Sequence, residues 1–416
     1  MIFRNCLLLV VLLLAGKVKA QPCPQRPVLM IHGMLGAGDN YAAMALQLEK
    51  NGYCRTHLHV YDWNTLSRNN AEVNRLDSFI QRICATTGTT QVDLVGHSAG
   101  GSLAYAYLND SMRSQRVAHY IHIASRPMPK PAGAKGEVAT LNVYSTADRT
   151  VKGADIPGAT NTKFSTYDHF GLVTADSVGM AVLAFIKDGT TTPAHKKKSS
   201  KERQSILLRV LQMGENKPDA EAYIECQQLN QNGETVGAAQ KEYTNANGEV
   251  LLNNIAQGSP YWITCKPRSG RSVAYYYPAI TAGPVPLYLR TLPASGMVNM
   301  LLGGIPKSPN AAAWVLFNAN AAISPDKDVL MMNSDTLNTT AITPNAKTVV
   351  ALFLYDNGDM QTSKQQQGIF GQAPFMNGID YYLPTTSSVQ TLQWQQKKLQ
   401  IPLVPAAQFV TVVVLE

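Results

Sequence analysis

The sequence predicts an α/β unit built on a mainly parallel sheet and, after it, all-β structure comprising a sandwich-like unit and a larger β-domain. Three observations predict it. Residues 27–187 alternate short apolar runs with segments of helical period, a pattern of strands covered by helices on both faces. Residues 188–204 offer no apolar face to bury, and beyond them strand-like runs are punctuated by Asn-Gly, Pro and Gly. A chain of 416 residues is also too long for one average domain.

In chain order, the apolar runs at 28–31, 57–61, 92–95, 117–124 and 138–144 read as strands. Between them Val73, Leu76, Ile80 and Ile83 recur at spacings of three and four, on one helical face, and 99–108 also suits a helix. A last helix is expected over about 172–187. Residues 188–204, with Thr-Thr-Thr-Pro before lysines and serines, read as a linker. Further on, 205–211, 222–229 and 249–255 are strand-like. Asn232-Gly233 and Asn247-Gly248 read as type I′ hairpin turns, whose two central positions both need positive φ. The sandwich is placed at 205–271 and the larger β-domain at 272–416, where 314–317, 349–355 and 409–415 are apolar.

Residues 1–20 read as a secretory signal peptide: Arg4 supplies the basic end, 7–15 are apolar, and Val18-Lys19-Ala20 precedes a cut. That apolar run is too short for a stable membrane span, and no later segment is apolar enough. Removing it takes away Arg4, Lys17 and Lys19 and no acid, so the net charge falls from +8 to +5. Much of the remainder sits in Lys196, Lys197, Lys198, Lys201 and Arg203, in or beside the linker, which argues against a nucleic-acid footprint on a folded face. The mature chain keeps Cys23, Cys54, Cys84, Cys226 and Cys265. Cys226 with Cys265 is the expected disulfide, Cys54 with Cys84 a second, and no pair has the spacing of a zinc site.

Gly96-His97-Ser98-Ala99-Gly100 fits a nucleophile elbow, in which a strand turns sharply into a helix and exposes a serine. Three fixed positions of this kind occur by accident in roughly one chain of this length in ten. Here the apolar run Val92-Asp93-Leu94-Val95 precedes it and a helical segment follows. Such a serine needs a base to take its proton and a carboxylate to orient the base, and in folds with this elbow they follow in the order serine, acid, histidine. His169 lies in a loop before the last expected helix, whereas His119 and His122 lie on a strand and His195 in the linker. Asp148 ends a strand and is the favoured acid, with Asp155 as runner-up; Asp176 and Asp168 are less well placed. The growing charge on the carbonyl oxygen calls for two backbone N–H donors. Ala99 supplies one and Met34, in the loop after 28–31, is the candidate for the other, with His32 read as a loop support.

These segments resemble the class 2 family of small secreted bacterial lipases, a compact α/β-hydrolase subfamily with little or no lid. The resemblance rests on Pro27-Val28-Leu29-Met30-Ile31-His32-Gly33, on 92–101, on Tyr144-Ser145-Thr146-Ala147-Asp148 and on His169-Phe170-Gly171-Leu172, in the family's order. It implies an α/β-hydrolase fold over 21–187 and a lipase or esterase activity without cofactor or metal. Residues 127–136 read equally as a short flap or a surface loop. Residues 205–271 resemble a carboxypeptidase-regulatory or transthyretin-like sandwich. The tail resembles the C-terminal β-domain of an archaeal lipase in which β-structure assists long acyl chains.

The leading expectation is thus a secreted enzyme cleaving acylglycerols or similar esters, with a lipid or ester substrate as its partner. A polyester depolymerase is the close alternative, and a binding module or adhesin with a vestigial catalytic unit is the alternative of another class. Asp356-Asn357-Gly358-Asp359 lacks the further ligands of a calcium loop and reads as a hairpin turn.

Overall fold

The computed structural model describes residues 23–67, 71–187, 203–371 and 373–416. The expected signal peptide, His195, the lysine run and nearly all of the expected linker lie outside the described residues.

The first unit is built on strands β1 (Val28–Ile31), β2 (Leu58–Tyr61), β3 (Val92–His97), β4 (Val117–Ile123), β5 (Ala139–Ser145) and β6 (Thr160–Phe164). They form one sheet in the order β2-β1-β3-β4-β5-β6, and every pairing is parallel. Its helices are α1 (Ala42–Lys50), α2 (Ala71–Thr87), α3 (Ala99–Leu108), α4 (Ser111–Ser114), α5 (Gly171–Thr174) and α6 (Asp176–Ile186). Strand alternation divides them between the faces. On β1, Val28 and Met30 pack with Met44 and Leu48 of α1 and Val182 and Ile186 of α6, while Leu29 and Ile31 pack with Leu76 and Ile80 of α2 and Leu103 of α3. The single closing helix expected at 172–187 is broken, because Ala175 is extended between α5 and α6.

The strand order reverses beside β1, which sends β2 to one side and β3 to the other. Loops leaving the C-terminal ends of β1 and β3 therefore diverge and leave a crevice between them, where such sheets collect reacting groups.

The second half comprises β7 (Arg203–Gln212), β8 (Tyr223–Leu229), β9 (Thr235–Tyr243), β10 (Glu249–Ala256), β11 (Tyr261–Lys266), β12 (Val273–Tyr277), β13 (Leu287–Thr291), β14 (Trp314–Asn318), β15 (Leu330–Met332), β16 (Asp335–Thr336), β17 (Ala351–Tyr355), β18 (Met376–Asp380), β19 (Val389–Trp394), β20 (Lys397–Pro402) and β21 (Val410–Leu415). These make a three-layer stack. An eight-stranded sheet, β18-β17-β14-β21-β12-β11-β8-β9, lies between a three-stranded sheet, β10-β7-β13, and a four-stranded one, β16-β15-β19-β20. Alternation again sorts the cores: Val410, Val412 and Val414 of β21 pack toward the three-stranded sheet, Val413 and Leu415 toward the four-stranded one.

The division expected at residues 271 and 272 is not a break in hydrogen bonding. β11 pairs with β12 across it, and β12 pairs in turn with β21 from the end of the chain. Each turn prediction also needs correction. Gly233 and Gly248 have positive φ, but neither Asn232 nor Asn247 does, so neither turn is type I′. The first still joins the antiparallel pair β8 and β9, whereas the second carries the chain from β9 into β10, which belongs to another sheet. The segment at 356–359 is not a hairpin either, since β17 and β18 are parallel.

The disulfide expectations are overturned. Cys23 is bonded to Cys54, and Cys84, Cys226 and Cys265 are free. Cys226 and Cys265 do lie on adjacent antiparallel strands, but Cys226 faces Ile263 and Cys265 faces Ile224. Such diagonal neighbours are about 7–8 Å apart, beyond the span of a disulfide. Cys84 sits on α2 with a partly buried thiol near Thr89. Burial pushes the Cys226 thiol up to about 12.

Candidate active site

Ser98 stands between β3 and α3 with φ 53° and ψ −120°, a conformation costly for a side chain and typical of residues held for function. Its backbone is fixed on both sides: its N–H donates to the Ile123 carbonyl at 3.0 Å, and Ser125 Oγ donates to its carbonyl at 2.8 Å. The small residues of the motif are steric requirements. A Cβ at Gly100 would lie 2.3 Å from the Ile31 carbonyl oxygen, so only glycine lets α3 approach β1 this closely.

Asp148 and His169 meet as a buried pair, with His169 Nδ1 2.8 Å from Asp148 Oδ2 and both side chains almost sealed from solvent. The other oxygen, Oδ1, accepts the backbone N–H groups of Thr150 at 2.7 Å and Val151 at 3.0 Å. Both carboxylate oxygens are thereby committed, and Nδ1 is the nitrogen that bears the proton. His169 Nε2 is buried and unpartnered. The loop carrying His169 is set by Asp168, whose Oδ1 accepts the N–H groups of Phe170 and Gly171 at the start of α5. Its Oδ2 accepts Ala322 N–H from the β-structure. His97 Nε2 donates to the His169 carbonyl at 3.0 Å, so the residue before Ser98 touches the loop of the histidine. Burial holds His97 well below its ordinary pKa, and it stays neutral.

The loop after β1 lies against the elbow. A Cβ at Gly33 would be 3.0 Å from Ser98 Cβ and 3.1 Å from His97 Nδ1. Met34 follows in this loop, and Ala99 N–H heads α3, where no intrahelical acceptor exists for it. His32 is fully buried, with Nδ1 donating to the Gly33 carbonyl at 2.8 Å.

The alternatives fall elsewhere. Asp155 is exposed and accepts from Tyr144 Oη at 2.7 Å. Asp176 is exposed at the start of α6. His119 pairs with Asp93 at 2.8 Å, and His122 is buried between Tyr120 Oη and the Arg126 carbonyl. Residues 127–136 form a loop pinned where Ala132 N–H donates to Thr140 Oγ1.

Sequence reasoning missed the apolar cavity beside this site, about 180 Å³ in volume. Met34, Leu35 and Phe170 of the first unit form one wall, and Tyr275, Val412 and Phe375 of the β-structure are among the residues forming the other. Phe375, itself at φ 64°, stacks on the His169 ring with centroids 5.9 Å apart and planes within 3°. No local signal marks these β residues, because their role arises only where two units meet. Asp356, Asp359 and Asp380 gather carboxylate oxygens within 4.8 Å of one another, at the edge of the eight-stranded sheet.

Residues 26–207 match the family model of the alpha/beta hydrolase fold. The first unit has the α/β-hydrolase fold. A second model, for a C-terminal domain, matches 317–413, within the β-structure that walls the apolar cavity. Among solved structures, the mature form of a lipase from Bacillus licheniformis is similar at 15% identity, over 40% of this chain and 94% of that one, with a TM-score of 0.32. A predicted hydrolase from Thermoplasma acidophilum is similar at 16% identity, over 38% of this chain and 85% of that one, with a TM-score of 0.31. No helix among the described residues is long and apolar enough to cross a membrane.

Proposed function

We propose that this protein is a secreted carboxylic-ester hydrolase, a lipase acting on acylglycerols, with Ser98 as nucleophile, His169 as base and Asp148 as its orienting acid. The buried Asp148–His169 pair, held against the Ser98 elbow, carries this reading. With the Nδ1 proton committed to Asp148, Nε2 is the lone pair left to take the Ser98 proton. Ser98 Oγ attacks the ester carbonyl, and the oxyanion is met by Met34 and Ala99 N–H. His169 then protonates the departing alcohol. Water, deprotonated by the same nitrogen, releases the acid and restores Ser98.

The cavity supports an apolar acyl group, since each buried methylene is worth about 0.8 kcal/mol. Its walls come from both units, which gives the β-structure a share in binding the chain. The Cys23–Cys54 disulfide supports export, because such bonds persist in oxidising compartments.

The test is turnover of p-nitrophenyl esters from acetate to palmitate. Ser98→Ala should lose at least about 10⁴-fold in kcat, and a fluorophosphonate should label the wild type at Ser98 alone. Equal turnover by Ser98→Ala refutes the serine mechanism. A preference confined to the shortest esters refutes the lipase assignment.

A further inference from the structure

We infer that Asn216, supplied by the β-structure, is a positioning residue that aims the Met34 N–H of the hydrolase unit; the inference rests on the ester-hydrolase reading above. Asn216 lies in the turn after β7, at φ 53°, and is buried. The two N–H groups of its Nδ2 are shared across the interface among three acceptors: His32 Nε2 at 3.1 Å, the Gly36 carbonyl at 2.9 Å and the Trp63 carbonyl at 3.0 Å. Three converging acceptors fix the orientation of the amide, because its oxygen turned inward would face only other lone pairs.

The consequence passes through His32. Trp63 N–H also donates to His32 Nε2, at 3.3 Å, so this nitrogen is an acceptor and the ring proton must sit on Nδ1. Nδ1–H donates to the Gly33 carbonyl, which also accepts Gly36 N–H at 3.1 Å. Gly33 C=O and Met34 N–H belong to one trans peptide plane and point in opposite directions. Pinning the first therefore aims the second. The Leu35 carbonyl, two residues on at φ 59°, accepts from Arg290 Nη1 at 3.4 Å, again from the β-structure, and Arg290 is paired with Asp39. The strained loop is thus held from outside the hydrolase unit at consecutive carbonyls, Leu35 and Gly36.

This role differs from binding the acyl chain. It acts on the transition state and is independent of chain length, so it shows on p-nitrophenyl butyrate. Asn216→Ala removes the donor, and Asn216→Asp replaces it with a carboxylate of the same shape that has no proton to give. In the full-length protein both should lower kcat on the order of 10- to 100-fold, with KM within about threefold. Affinity for a butaneboronic acid, a tetrahedral mimic, should fall in proportion to kcat/KM. Lys327→Ala, which cuts the contact to the Thr166 carbonyl elsewhere on the same interface, should keep wild-type kcat.

Wild-type kcat in both Asn216 variants, a change confined to KM, or an equal loss in Lys327→Ala overturns the inference. Side-chain nitrogen NMR of the wild type gives a check that needs no variant to fold: His32 should carry its proton on Nδ1, and the opposite tautomer overturns the inference. Activity remaining in Ser98→Ala would instead overturn the ester-hydrolase reading, which separates the two failures.

Discussion

Replacing Asp148 with asparagine should stop the reaction while leaving the fold in place, and the structure says why. The amide must choose which oxygen position its NH₂ occupies. At Oδ1 it would meet the N–H groups of Thr150 at 2.7 Å and Val151 at 3.0 Å, donor against donor. It is therefore driven to the Oδ2 position, 2.8 Å from His169 Nδ1. There it donates, so Nδ1 must accept and the ring proton moves to Nε2, the nitrogen that should take the serine proton. The base is lost to the wrong tautomer. Serine hydrolases lose about 10⁴-fold in kcat for this change, a barrier increase of about 5 kcal/mol. Because the side chain keeps its shape and both backbone donors, the thermal midpoint should move by only a few degrees. The assay is kcat on p-nitrophenyl butyrate at neutral pH, with a melting curve as control. A folded Asp148→Asn enzyme retaining a tenth of wild-type kcat would refute the tautomer argument, and full loss in Asp155→Asn would move the acid's role to Asp155, further along the same β5–β6 connection.

Four further expectations follow from other parts of the molecule. Val412→Trp fills the cavity from the β21 side and should abolish turnover of palmitoyl esters while sparing acetyl esters; parallel loss on both would place the acyl chain elsewhere. Alkylation of unfolded protein without reductant should modify Cys84, Cys226 and Cys265 but not Cys23 or Cys54. Cys54→Ser should cost about 3–4 kcal/mol of stability for a loop of this length, read from a denaturant midpoint. His122 is held down to about 4 by burial, with its hydrogen bond to Arg126 opposing. The unfolded chain binds this proton first, so stability is full above about 6.5 and falls as pH drops from there toward 4, by about 3 kcal/mol at most. His122→Gln should flatten that part of the stability profile, and an unchanged slope would assign it to other groups.

Much of the hydrolase unit was legible because its signals are local. The apolar runs at 28–31 and 92–95 and the Val73, Leu76, Ile80, Ile83 stripe report burial through period alone, and Ile31 and Leu76 do pack on the same face. The elbow was legible for a similar reason: Gly100 is needed by contacts that α3 makes with the strand beside its own. The loop histidine and the acid could be ordered along the chain, but their 2.8 Å contact depends on two loops returning to one sheet edge.

What the sequence determined by itself was the set of elements, their alternation and the kinds of groups at strand ends, since strand and helix periods are properties of neighbouring residues. Register, sheet membership and partnership across long separations were decided only in three dimensions. The cysteines illustrate this: composition offered a pair, but a diagonal register on β8 and β11 withheld it, and Cys23 found Cys54 instead. Asn216 is the sharper case. In sequence it is one polar residue in the turn Gly214-Glu215-Asn216-Lys217-Pro218, and only the packing of the β-structure on the hydrolase brings its amide to His32, 184 residues away.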